Sequence, residues 1–128
     1  MGRLPERLLH RIEAFFDRVL TVSAAVEKQK RSPRIIDQLI GSGTSVGANL
    51  FEADECVTRP EFRRCLSISL RELNETRFWL RLIARQAWLK PAQLQPLEQE
   101  CKELRKVLGA MIVRTAKRDS RPPQMPDS

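Results

Sequence analysis

The sequence predicts an all-α protein, an up-and-down antiparallel four-helix bundle. Three observations predict it. Apolar residues recur at three- and four-residue spacing through four long stretches, helix start and stop signals bound each stretch, and no segment alternates convincingly with the period of two that marks a strand. The 128 residues suit one domain with a core of its own, without disulfides or a metal. With five Phe, two Trp and no Tyr, that core has to be built mainly from Leu, Ile, Val and Ala.

The first helix is predicted over 5–28, where Leu8, Ile12, Phe15, Phe16, Val19, Val22 and Val26 fall on one face. Pro5 is tolerated near its start, because the missing N–H would have no helical partner there. Gln29 to Pro33 ends it, and Ser32 before Pro33 signals the next start. The second helix is predicted over 33–56, with a stripe of Ile35, Leu39, Val46, Leu50 and Ala53. Its centre holds Gly41, Gly43 and Gly47, each costing about 1 kcal/mol relative to alanine in a helix. Gly43 and Gly47 lie one turn apart, so a neighbouring helix can approach closely there; a break in the helix is the competing expectation.

The third helix, over 59–88, is the best marked. Thr58 stands at the N-cap with Glu61 three residues on, Pro60 lies in the first turn, and Lys90-Pro91 closes it. Phe62, Cys65, Leu66, Ser69, Leu73, Thr76, Leu80 and Ile83 form its inward stripe. The fourth, over 91–117, carries Leu94, Leu97, Cys101, Leu104, Leu108, Met111 and Ile112 on one face, with Pro96 leaving a start nearer Gln95 open. The bundle is taken to span 1–118. The polar, proline-rich 119–128 reads as a disordered tail.

Catalytic chemistry is poorly provisioned. The one histidine, His10, falls on the polar side of the first helix, and no HExxH motif occurs. The glycine stretch lacks the Lys-Ser/Thr of a phosphate loop and has no strand before it. Glu72 and Glu75 form a carboxylate pair, but bundle metal sites combine Glu-x-x-His pairs from facing helices, and no such partner exists here. No metal or other cofactor is expected; Asn49 and Glu52 read as polar groups at an inner margin. Cys56, Cys65 and Cys101 cannot all pair, show no CxxC spacing, and read as small hydrophobes in a reducing compartment. Arg7, Arg11 and Glu13 interrupt any apolar leader, and Val19 to Val26 is too short to span a bilayer, so a cytoplasmic protein is expected.

Charge is where the sequence points outward. The net charge is +7, yet residues 1–57 hold eight basic and eight acidic side chains. The excess lies beyond: seven Arg against three Glu in 58–89, and seven Lys/Arg against three Glu in 90–118. On the third helix, Arg59, Arg63, Arg77, Arg81 and Arg85 return to nearly one direction, a ridge suited to a polyanion, with Lys102, Lys106 and Lys117 behind it. Solubility alone is the competing reading of that excess. Opposite the inward stripe stand Ile68, Trp79 and Leu82, with Glu75 among them and Phe78 at the margin. This second apolar seam predicts burial against another copy of the chain; the competing reading packs Trp79 at a bundle corner.

Three stretches resemble one family. Gln38-Leu39-Ile40-Gly41-Ser42-Gly43-Thr44-Ser45-Val46-Gly47-Ala48-Asn49 with Glu52-Ala53, then Thr58 to Phe62, then Arg71-Glu72, Glu75-Thr76 and Trp79 to Leu82, are similar to the signature of the 23S ribosomal RNA intervening-sequence (S23) type. The match covers about residues 35–115 and departs at Gly41, where arginine is usual, and at Cys56, near a position often taken by alanine. The resemblance implies a four-helix bundle assembling as a homopentamer. It also implies kinship with the accessory variability proteins of diversity-generating retroelements, basic pentamers that bind nucleic acid and a reverse transcriptase. The expectation is a non-enzymatic homo-oligomer contacting RNA or DNA phosphates, with a scaffold for a protein partner as the alternative.

Overall fold

The structure, a computed structural model, describes residues 2–120, with side chains through residue 117. Four helices follow one another: α1 (Glu6–Lys28), α2 (Pro33–Asp54), α3 (Arg59–Arg85) and α4 (Pro91–Ser120). Helices α2 and α3 start where a side chain supplies an acceptor for a first-turn N–H and a proline removes another. Ser32 Oγ accepts the Ile35 N–H at 3.4 Å, and Thr58 Oγ1 accepts the Glu61 N–H at 3.3 Å, each just before a proline in the first turn. At α4, the Gln93 side chain reaches back to accept the Lys90 N–H at 2.9 Å, fixing the start at Pro91. Pro96 is therefore inside the helix rather than at its start.

The end of α3 differs from expectation for a conformational reason. Helix α3 stops at Arg85, three residues before the expected Trp88, because Ala87 adopts a left-handed φ of 56°. The Trp88 N–H then reaches back to the Ile83 carbonyl and the Ala87 N–H to that of Ala84, the paired bonds of a Schellman ending. Lys30, at φ 52°, follows the end of α1 in the same conformation. Glycine usually announces such an ending, and neither site has one. Helix α2 closes at Asp54, two residues before the expected Cys56, and α4 continues to Ser120. Residues 119 and 120, expected in the tail, are helical; the rest of that segment, 121–128, lies outside the described residues.

Short connections and packing between α1 and α2, α2 and α3, α3 and α4, and α1 and α4 make an antiparallel up-and-down bundle. The α2–α3 contact is the most extensive and α1–α4 the slightest. Ile12, Phe15, Val19 and Val26 meet Leu39, Val46, Leu50, Leu66, Leu73, Leu80, Ile83, Leu94, Leu104 and Leu108 in one core. On α2 the buried isoleucine is Ile36, with Ile35 half-buried, while the rest of the expected stripe (Leu39, Val46, Leu50 and Ala53) is buried.

Helix α2 runs unbroken through its glycines. A Cβ at position 43 would stand 2.6 Å from Val19 Cγ1, and one at position 47 would stand 2.9 Å from Ile12 Cγ2. Both glycines thus face α1 and allow its branched side chains against the α2 backbone. Gly41 meets nothing within 4 Å. On the other side of α2, hydroxyls from α3 are satisfied internally. Ser69 donates to the Val46 carbonyl at 2.8 Å, and Thr76 Oγ1 lies 3.0 Å from Ser42 Oγ and 2.9 Å from the Glu72 carbonyl.

Ahead of α1, the Arg3 N–H donates to the Asp54 carbonyl and the Leu4 N–H to Asp54 Oδ1, and Leu4 is buried. The Arg3 guanidinium donates to the Cys56 and Val57 carbonyls and lies over the Phe62 ring, strapping the chain's start across the α2–α3 turn.

Candidate nucleic-acid interface

Between α3 and α4 opens a groove of about 340 Å³ lined by Asn74, Arg77, Phe78, Leu80, Arg81, Glu98 and Lys102. It exists because the inward stripe of α3 directs Leu80 to the core, which leaves Arg77 and Arg81, one turn apart, at the margin toward α4. Lys102 comes from α4 on the opposite bank. Among the described residues no carboxylate lies within salt-bridge range of these three cations, although Glu98 shares the lining. Beneath the groove Cys101 is buried, and its thiol is pushed up to about 12 by loss of solvent, against the opposing pull of Arg77.

The other basic residues named from the sequence fall elsewhere. Arg63 lies 14 positions before Arg77, about 21 Å along the helix axis, so the arginine ridge is a line along α3 rather than one site. Arg59, Arg63 and Lys117 each have an interaction partner within the protein. Arg85 is exposed at the end of α3, and Lys106 is 3.9 Å from Glu103. A second basic groove was not anticipated. Arg3, Arg7 and Arg11 from the first part of the chain meet Arg114 near the end of α4, around Leu8, Val107 and Met111. Arg11 there pairs with Glu100. The four-residue spacing of Arg7 and Arg11 was visible, but the balanced charge of 1–57 concealed that the fold gathers its arginines beside Arg114.

The apolar seam is arranged differently from the sequence expectation. Trp79 is half-buried against the core, with its Nε1 enclosed and without a hydrogen-bond partner. Phe78 is the exposed member at 58%, its ring edge-on to Trp79 at 4.9 Å. Ile68 and Leu82 are half-buried and Glu75 is exposed. The reason is the width of the bundle's corner: the larger indole reaches back over the core while Phe78 lies beyond it, between the groove arginines. Other exposed large apolar residues, Leu20, Phe51, Val57 and Val113, sit on other elements.

His10 is exposed, 3.8 Å from Glu6, and takes no part in either groove. Asn49 donates to the Ser45 carbonyl within its own helix, and Glu52 is exposed. Glu72 is held above the usual carboxylate range, first by burial and then by neighbouring Glu75, with Arg71 opposing. Among the described residues no three His, Cys, Asp or Glu side chains converge as a metal-binding group. No helix among them is long and apolar enough to cross a membrane.

Comparison with known proteins places this arrangement. No curated protein matches the chain. A crystal structure of a protein of unknown function from the S23 ribosomal protein family, from Bacteroides thetaiotaomicron VPI-5482, is similar to it. The two share 29% identity with a TM-score of 0.77, over 81% of this chain and 96% of that one. The family of 23S rRNA-intervening sequence proteins matches residues 8–110, nearly the whole bundle, and the chain belongs to that family.

Proposed function

We propose that this protein binds the phosphate backbone of RNA or DNA as a non-enzymatic helical bundle, using the α3–α4 groove as its centre. The observation that carries this reading is the convergence of Arg77, Arg81 and Lys102, with no carboxylate among the described residues in salt-bridge range of them. Cations left unneutralised at one opening favour a polyanion and release its counterions on binding. Little aromatic surface accompanies them, so phosphate contacts dominate and base sequence contributes little. Self-association through the outer face of α3, around Ile68 and Leu82, repeats the groove around an assembly and multiplies its field. A pentamer is the stoichiometry we propose, to be measured by light scattering.

The test is binding of a short labelled RNA and its DNA counterpart across a salt series. The wild type should lose affinity steeply with salt. The Arg77→Ala, Arg81→Ala and Lys102→Ala variants should each flatten the slope of log K against log salt by about 0.7 to 1. The melting temperatures of the Arg81 and Lys102 variants should stay close to the wild type, because both side chains are exposed, while half-buried Arg77 is expected to cost somewhat more. Affinity indifferent to salt rejects the reading.

The exposure of Phe78 favours a second reading, a groove that docks a protein partner, with the aromatic as anchor and the cations as rim. Association that survives nuclease treatment and is lost in Phe78→Ala would select it.

A further inference from the structure

The cysteines, read from sequence as separate small hydrophobes, are not separate. Cys56 lies just beyond α2 and Cys65 nearly two turns into α3, and their sulfurs are 3.8 Å apart. Both residues are half-buried, so a small solute can reach them. The Cys56 thiol is 3.4 Å from the Glu52 carbonyl, and with its proton donated there its sulfur can accept the S–H of Cys65. The turn from Glu55 to Thr58, which reverses the chain, brings this pair together; Arg3 fastens the same turn from outside through the Cys56 and Val57 carbonyls. Cys101, the remaining cysteine, is fully buried in the core.

We propose that Cys56 and Cys65 are a modification site, a dithiol that closes reversibly to an intramolecular disulfide and staples the α2–α3 turn. The oxidant is a low-molecular-weight disulfide. One protein thiol, as its thiolate, attacks a sulfur of the solute, forming a mixed disulfide and expelling one solute thiolate. The neighbouring protein thiol then loses its proton and attacks the protein sulfur, forming the Cys56–Cys65 bond and expelling the second solute thiolate. Two protein thiols are oxidised by two electrons, the solute disulfide is reduced to two thiols, and the two released protons go to those thiolates. The second step is intramolecular between sulfurs already in contact, so it outruns attack by a second solute molecule.

Burial first, then the neighbouring Cys65, and last the carboxylates of Glu61 and Glu52 hold the Cys56 thiol above its ordinary range. Cys56 is therefore harder to ionise than an ordinary exposed thiol, and exchange through it is slow. Cys101 is the internal control, since no second thiol lies beside it and the core encloses it.

The experiment uses the full chain, dilute, equilibrated with oxidised glutathione and quenched by alkylation before peptide mass mapping. The expected product has lost two hydrogens, carries a Cys56–Cys65 cross-link with Cys101 still alkylated, and melts roughly 5–10 °C higher than the reduced protein. Dithiothreitol should reverse both changes. The Cys65→Ser variant should instead keep glutathione on Cys56, because nothing remains to displace it. Wild type that retains three alkylated cysteines, or that holds glutathione without closing, overturns the site. A cross-link that leaves the melting temperature unchanged overturns the staple.

Discussion

Helix α2 meets its neighbours through glycine, serine and threonine, whereas the outer margin of α3 meets α4 across a groove carrying Arg77, Arg81 and Lys102. On the first side every observed feature serves closeness. Two glycines let Val19 and Ile12 touch the α2 backbone, and hydroxyls from α3 find acceptors within the seam. On the second side cations stand without ion-pair partners among the described residues, and an aromatic ring is left in water. A buried polar group must be satisfied from within the protein, while an exposed charge can be satisfied by solvent until a ligand arrives. The contrast teaches that one helix, α3, divides its circumference between sealing the fold and presenting charge.

The sharpest way to break this comparison is at the glycines. Gly43→Val should destabilise the protein by about 2–3 kcal/mol, since added carbons must displace Val19 from a position already within 2.6 Å of the new Cβ. Gly41→Ala, in the same stretch but meeting nothing, should instead stabilise by up to about 1 kcal/mol. Thermal unfolding followed by circular dichroism separates the two by sign. Equal responses at both positions would remove the close-approach account.

A smaller effect is expected in the hydroxyl seam. Thr76→Val keeps the shape of the side chain but removes the donor shared between Ser42 Oγ and the Glu72 carbonyl. The expected loss is about 1–2 kcal/mol by urea titration with unchanged m-value. A neutral result would mean that packing alone holds the α2–α3 contact.

The smallest effect concerns pH. Because the Glu72 pKa is raised on folding, the folded state binds its proton more tightly than the unfolded chain does. Its contribution is fully present below the ordinary carboxylate pKa and lost as pH rises through the elevated one. Glu72→Gln should therefore leave a slightly flatter melting-temperature profile above the ordinary value of 4.5, by a degree or so at most given its exposure. A steeper profile in the variant would reverse the assignment.

The element order was legible because periodicity and caps are local. Ser32, Thr58 and the prolines behind them mark starts whose acceptors lie three residues away. The end of α3 was harder, since Ala87 takes a conformation that glycine usually signals. The exposure of Phe78 and Trp79 was also misread, because adjacent positions on a helix differ by about 100° and only the neighbouring helix decides which ring reaches the core.

By itself, then, the sequence determined that there are four amphipathic helices, which face of each is apolar, and that basic charge accumulates toward the second half. Those properties follow from spacing along one chain. Only the tertiary structure decided that Gly43 and Gly47 face α1, that Arg7 and Arg11 lie near Arg114, and that the Cys56 and Cys65 sulfurs touch. Each of these depends on the rotation and approach of one helix against another, or on the path of a turn, and pairwise packing sets both.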